Sequence, residues 1–398
     1  MRGWVRLTTL TVVLEAVAFG SPETAAATSI CSKASWQTLR SASSGTGSEL
    51  RAVTAVSKKD VWAVGWSSHP VTGATTPMSQ HWDGDAWEIV PTETAQMVGL
   101  LQGVDAASST DVWAVGSRLT VLQTSAALAL HWDGRAWERI HIPKPQAGRF
   151  VSAVPTDVAV INADDVWAVG YWSTVPDAPP SPLIEHWNGR RWQAVDSPDL
   201  GSWSELHGVA GTGPGDVWAV GNTEVQAGED VLVERALIEH WDGKAWTVVR
   251  SPVVGRLSAF GLESVDARSG SDAWAVGEVA EGARQVTLSF HWDGERWSRV
   301  PTVDPSNEFQ LLGGVAAASR NRVWAVGYYW DAARERDSTL VLRWDGHEWT
   351  KEPSANHRSG NQLIDVAALP SRQFAVGSFW ANGGEGPERT LVVGRCPG

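Results

Sequence analysis

The chain has 398 residues, of which 25 are tryptophan and only 7 phenylalanine, 3 tyrosine and 2 cysteine. Hydrophobic residues at 43% and charged residues at 19% exclude an intrinsically disordered chain. A formal net charge of -13 repels phosphate backbones and argues against a nucleic-acid partner. Beyond the amino terminus no apolar run reaches the roughly 18 residues that span a bilayer as a helix.

In chain order, residues 1–27 come first and read as an export signal. Arg2 and Arg6 make a basic start, Leu7 to Gly20 are mostly apolar, and Ala25-Ala26-Ala27 offers small residues for cleavage. Glu15 interrupts the apolar stretch. The expectation is a secreted, monomeric protein whose residues 28–398 form one domain, with no membrane insertion once the signal is removed.

A repeat fills the rest. Asp60-Val61-Trp62-Ala63-Val64-Gly65 recurs around Trp113, Trp167, Trp218, Trp274 and Trp324, and a seventh copy reads Gln373-Phe374-Ala375-Val376-Gly377. Successive copies are 51, 54, 51, 56, 50 and 50 residues apart. A second motif follows each of the first six: His81-Trp82-Asp83-Gly84-x-x-Trp87, then the stretches starting at His131, His186, His240 and His291. The sixth copy has Arg343 in place of His, and the third has Asn188 in place of Asp.

Each unit parses into four short strands. Strand a is a small-residue run such as Gly103 to Ala107, strand b is the DVWAVG motif, strand c ends in His-Trp, and strand d opens with the last Trp. The Asp-Gly pair between c and d favours a tight hairpin, and β-branched residues without helical periodicity argue for strands. Four strands per ~50 residues, repeated, predict an all-β, seven-bladed β-propeller of antiparallel blades. The last unit lacks strand d, and Ser35-Trp36-Gln37-Thr38-Leu39 supplies that pattern at the other terminus. The N-terminal strand would therefore close the last blade and remove the unpaired sheet edges. Cys31 and Cys396 both fall at the register of the c–d turn, so a disulfide would replace the missing covalent turn; two free or intermolecular thiols are the alternative.

The DVWAVG…HWDGxxW pattern resembles the repeats of kelch-like and Asp-box (BNR-type) propellers, and also those of the photosystem II assembly-factor type. The resemblance covers roughly residues 33–398. This chain has His-Trp where the Asp-box usually carries Ser and Thr. Asp-boxes are structural, so the resemblance implies a propeller and carries over nothing catalytic.

The repeated histidines His81, His131, His186, His240 and His291 lie on five different blades, so they cannot converge on one ion; a structural hydrogen bond is expected of each. In strand a, Val53, Val104, Val158, Val209, Val265, Val315 and Val366 should point into the blades. Their neighbours Asp105, Asp157, Asp266 and Asp365 should then point into the central channel. Those carboxylates are the candidate ligands of a hard cation such as calcium, against the plainer reading of a water-filled polar channel; no other cofactor is implied. The a–b and c–d turns are short and repetitive, whereas the b–c and d–a loops on the opposite face vary. Aromatic residues in those loops, Trp66, Tyr171, Trp172, Trp203, Tyr328, Tyr329, Trp330, Phe379 and Trp380, are the candidate ligand-binding residues, read as exposed on one face, against the plainer reading that they lid the ends of neighbouring blades. No GxSxG, HExxH or CxxC occurs, and no catalytic residue is assigned. The function expected is a non-catalytic binding module for an extracellular glycan or protein. A polysaccharide-directed hydrolase or lyase with an acidic site at the channel mouth, and an assembly factor for exported proteins, are the alternatives.

Overall fold

In the computed structural model the chain folds into seven four-stranded antiparallel sheets, and no helix occurs among the described residues. The structure describes residues 35–395 except 93, 95–96, 123, 146–150, 175–177, 199, 201–202, 229–230, 253, 255–258 and 382–385. Residues 1–27, which the sequence reading takes as an export signal, and both cysteines, Cys31 and Cys396, lie outside the described residues.

Blade 1 shows the plan. Strand a is Ser48–Ser57, b is Asp60–Ser68, c is Thr75–Trp82 and d is Trp87–Val90, paired in that order. Blade 7 takes strands a to c from Asn361–Leu369, Arg372–Trp380 and Glu388–Arg395. Its fourth strand is Gln37–Leu39, with Gln37 opposite Gly394 and Leu39 opposite Val392. The amino-terminal strand thus closes the ring as the repeat pattern predicts, and no blade is left with an open edge at the seam.

The repeat residues build the seams between blades. Seven separate apolar clusters lie at the seven blade-to-blade interfaces, each mixing residues of two neighbours. Trp62 of strand b is 1% exposed and meets Trp132 at 4.8 Å and, edge to face, Trp137 at 5.3 Å, both from blade 2. The same trio recurs at the next four seams. Such aromatic contacts add about 0.5–1.5 kcal/mol per pair beyond the area they bury. This accounts for the abundance of tryptophan: nineteen of the residues serve as inter-blade packing on strands b, c and d.

Each motif histidine stacks on the tryptophan opposite it and donates a hydrogen bond from Nε2 to the Asp that opens strand b. His81 Nε2 stands 2.8 Å from Asp60 Oδ1, and His131, His186 and His240 repeat the distance to Asp111, Asp165 and Asp216. The structural reading of the histidines holds, and the Asp of DVWAVG is its partner. At the seam of blades 6 and 7, Arg343 and Arg395 stand where a His and a Trp stand elsewhere. Their guanidinium groups lie 5.9 and 4.8 Å from the Trp324 ring, and Glu352 bridges them at 3.8 and 3.6 Å. In the c–d turns, Asp83 Oδ1 accepts from the Asp85 and Ala86 amides, and these bonds hold its carboxyl below its ordinary pKa. Gly84 supplies the left-handed φ of +109° that this turn requires.

Candidate functional site at the channel mouth

The glycine that ends every DVWAVG motif breaks the strand beside it. A Cβ on Gly65 would stand 2.0 Å from the Glu49 carbonyl oxygen, and one on Gly221 would stand 2.1 Å from that of Glu205. Only glycine admits this approach, and strand a answers with a β-bulge at the same register in all seven blades. In blade 1, Leu50 pairs with Gly65 and Ala52 with Val64, and Arg51 between them has no partner. The buried Leu50 anchors the bulge, and Arg51 is turned out of the ladder.

The seven bulged residues are Arg51, Gln102, Thr156, His207, Glu263, Gly313 and Ile364. All seven line one cavity of about 300 Å³ at the channel mouth, on the face of the b–c and d–a loops. Around them the repeat is nearly invariant: Leu or Pro before the bulge, Gly opposite, Val two places on. At the bulge every blade carries a different side chain. A repeat scaffold whose equivalent positions differ where they face one cavity presents a candidate site on a rigid frame.

The site is charged on one side. His207 Nδ1 lies 3.3 Å from Glu263 Oε1 and its Nε2 lies 3.6 Å from Glu205 Oε2. Burial alone would lower the imidazole pKa, but the two carboxylates outweigh it and raise it to about 10, which favours the charged imidazolium. Burial likewise opposes ionisation of Glu263, yet the bond and charge of His207 hold that carboxyl below its ordinary value. Glu278 is raised to about 8 by burial and by the charge of Glu263, and its Oε2 has no partner among the described residues. Glu234 accepts from Asn222 Nδ2 at 2.7 Å and is also raised, chiefly by burial. Across the mouth, Glu49 accepts from Trp66 Nε1 at 2.7 Å and lies 3.9 Å from Arg51.

Asp157, Ser264 and Asp365 border both the mouth cavity and a second cavity of about 270 Å³ beneath it, and they alternate around the ring with Gly103, Gly208 and Gly314. The four aspartates read from the sequence as candidate cation ligands all line this channel. Each accepts a backbone amide of the next blade: Asp365 from Val53 at 2.8 Å, Asp105 from Val160 at 2.8 Å, Asp157 from Val209 at 2.9 Å and Asp266 from Ala317 at 2.6 Å. They latch one strand a to its neighbour around the inner ring. Burial raises all four, Asp105 to about 6, Asp365 to about 7 and Asp157 to about 8. Among the described residues no three His, Cys, Asp or Glu side chains stand together as a metal site.

The loop aromatics do not form one platform. Read as exposed in the sequence, they are half-buried in the structure. Tyr171 lines the mouth cavity, and burial raises its hydroxyl pKa. Tyr328 stacks on Phe309 at 5.5 Å, and its pKa is pushed up to about 12 by burial and by Asp337, Glu278, Glu263 and Glu49. Trp66 joins them through Glu49. Their neighbours fall on the alternate face of the strand. Trp172 borders a separate outer groove of about 410 Å³, Tyr329 carries Lys351 Nζ 4.0 Å over its ring, and Phe379 stacks on His357 at 3.7 Å. Trp380 packs over Gly360, the Trp330 amide is bonded to the Phe309 carbonyl, and the Trp203 carbonyl accepts the Glu224 amide. The large hydrophobics exposed on this face are instead aliphatic, among them Val71, Val121 and Leu232.

No family model and no curated protein sequence matches the chain. Solved structures do. YCF48 bound to a D1 peptide is similar at a TM-score of 0.53 and 15% identity, over 91% of this chain and 97% of that one. An ulvan lyase of a new polysaccharide lyase family, bound to -[GlcA(1-4)Rha3S]-, is similar at 0.56 and 9%, over 89% and 95%. The endosialidase of phage phi92 is similar at 0.50 and 10%, over 91% and 69%. The likeness is one of fold. At these identities the β-propeller fold is what is shared.

Proposed function

We propose that the protein is an exported, non-catalytic binding module for an extracellular glycan or protein, and that its ligand sits at the channel mouth. One observation carries this reading: seven equivalent positions hold seven different residues, and those seven line one cavity. Packing would have left the repeat intact there, as it does at the seams. Solved propellers of similar fold, one bound to a peptide and one to a glycan, support a binding role for such a surface. The turn bonds of Asp83 and the Trp that opens each strand d support placing the repeat among the Asp-box type. The test is binding to glycan and peptide arrays by the wild type, by Arg51→Ala and His207→Gln, and by His131→Ala at the far end of blade 2. The mouth variants should lose a ligand that the third retains; equal retention by all would refute the assignment.

A second reading has a specific observation behind it. His207, 3.3 Å from Glu263, pushes that carboxyl below its ordinary pKa, whereas burial pushes Glu278 up, and environments that separate two carboxyls in this way suit a general base and a general acid. This favours a polysaccharide hydrolase or lyase as the alternative. Turnover of an acidic polysaccharide that is abolished by Glu278→Gln would establish it.

A further inference from the structure

Six c–d turns share one device, and one of them departs from it. Five carry an aspartate after the strand c tryptophan: Asp83, Asp133, Asp242, Asp293 and Asp345. Each accepts through Oδ1 the amides two and three residues on, at 2.8–3.0 Å. Those amides hold all five carboxyls below their ordinary pKa. Blade 3 carries Asn188 at this place. Its Oδ1 accepts the Arg190 and Arg191 amides at 3.2 Å each, and its Nδ2 donates to Gln193 Oε1 at 2.6 Å. Charged acceptors make the shorter and stronger bonds, so blade 3 holds the weaker acceptor of the six.

The residue that follows does not shield Asn188. Gly189 takes a φ of +82°, and a Cβ there would stand 2.3 Å from Asp164 Oδ1, so glycine is the residue this turn takes. Glycine also leaves its own amide nitrogen most open to the carbonyl carbon of a preceding asparagine side chain. Asn188 is exposed, and so are Arg190 and Arg191, whose charge favours a carboxylate beside them. We propose that Asn188 is a modification site, and that in the folded protein it deamidates to the aspartate of the other five turns. The Gly189 nitrogen bonds to Asn188 Cγ, the Cγ–Nδ2 bond breaks, and ammonia leaves with the Gly189 amide proton. Water then opens the cyclic imide. Attack at Cγ restores the main chain and leaves an aspartate side chain. Attack at the main-chain carbonyl carbon leaves an isoaspartate, with the chain routed through Cγ. The turn selects the first product. Trp187 is paired with Trp192, and the Asn188 amide donates to the Arg191 carbonyl at 3.3 Å, so the loop has fixed ends that an additional backbone carbon does not fit. The aspartate accepts the two amides as its five equivalents do. The site lies on the turn face and is independent of what the mouth binds.

The test follows the intact protein in slightly alkaline buffer, beside a urea-unfolded sample, by peptide mapping. In the folded protein the peptide that holds residue 188 should gain the mass of an amide-to-acid exchange. Peptides that hold Asn162, Asn222 and Asn321, none followed by glycine, should keep theirs. The other Asn-Gly pair, Asn382-Gly383, lies outside the described residues and falls on a separate peptide. An endoproteinase that cuts before aspartate and not before isoaspartate should cut the folded product at 188, whereas the unfolded sample should yield mostly the uncut isoaspartate. Asn188→Asp should melt above the wild type. A folded sample that keeps its mass at 188 while the unfolded one gains it would mean that the turn protects the asparagine, and would overturn the proposal. Isoaspartate as the main folded product, or Asn188→Asp melting below the wild type, would remove the turn's preference and overturn it as well.

Discussion

Replacing Gly221 by alanine probes directly how the mouth is built. The added methyl would stand 2.1 Å from the Glu205 carbonyl oxygen and 2.8 Å from the Leu206 Cα. Ordinary carbon contacts begin near 3.5 Å, so strand a would have to retreat by about 1 Å. Both obstacles are backbone of the bulge that presents His207, and no side-chain rotation relieves them. Overpacking costs about 1–3 kcal/mol, and a backbone obstacle belongs at the upper end. The stiffer unfolded chain returns about 0.4–1 kcal/mol, leaving a net loss of about 2 kcal/mol. Gly213→Ala is the control, because nothing lies within 4 Å of a Cβ built there. It should be neutral or slightly stabilising. Guanidinium unfolding would give the stability, and NMR titration of His207 would show its pKa falling from about 10 toward the ordinary histidine range as Glu205 and Glu263 draw away. A Gly221→Ala protein as stable as Gly213→Ala, with His207 unchanged, would refute the bulge as the device that holds the site.

Three further outcomes follow from the same geometry. Glu185 is fully buried, neither oxygen has a partner among the described residues, and its pKa is raised to about 8. The raised folded value means the wild type loses stability as pH climbs from the ordinary glutamate range toward 8, by an amount on the order of 3–4 kcal/mol, so Glu185→Gln should match it near pH 4 and exceed it at pH 8.5; coincident pH profiles would count against this. Asp365 links blade 7 to blade 1 by accepting from Val53 and from Val366 at 2.7 Å, and Asn offers one oxygen for two donors. Asp365→Asn should cost about 1–2 kcal/mol in thermal unfolding, and a cost near zero would remove the latch. Trp62→Ala should cost about 3–5 kcal/mol, with a similar value for Trp113→Ala, Trp167→Ala or Trp218→Ala, since the seams repeat; a scatter as wide as the mean would show that the seams are not equivalent.

Architecture was legible in the sequence because it is repeated. Six copies of a tryptophan-bearing strand and a seventh with Phe374 number the blades, and Trp36 at one end answers the missing strand at the other. The histidines were legible as structural because a ring cannot bring equivalent residues together. Alternation around Val53 and its equivalents correctly aimed the aspartates at the channel. What alternation cannot reveal is that the space beside each strand is already filled by the next blade's amides, which take up those carboxylates. The bulge ring escaped for a related reason. Period two assumes an unbroken ladder, and Arg51 or His207 leaves it. The signal was present in Gly65 and its six equivalents, since a glycine retained inside every strand b is out of place unless a neighbouring backbone comes close. The partial burial of the aromatic loop residues was not legible, because sequence gives the loop and not its packing: Phe379 stacks on His357 and Trp380 lies over Gly360, while the large hydrophobics that are fully exposed are aliphatic.

The central claim is that ligand enters the mouth ring. The most direct measurement is binding of one array-selected ligand to a triple variant, Arg51→Ala/Gln102→Ala/His207→Gln, and to a matched triple on the turn face, Asp85→Ala/Arg135→Ala/Lys244→Ala. The first should lose affinity by about a hundredfold or more while the second stays within about twofold of wild type. Retained affinity in the mouth variant, with loss in the turn-face variant, would place function on the other side of the propeller and contradict the account.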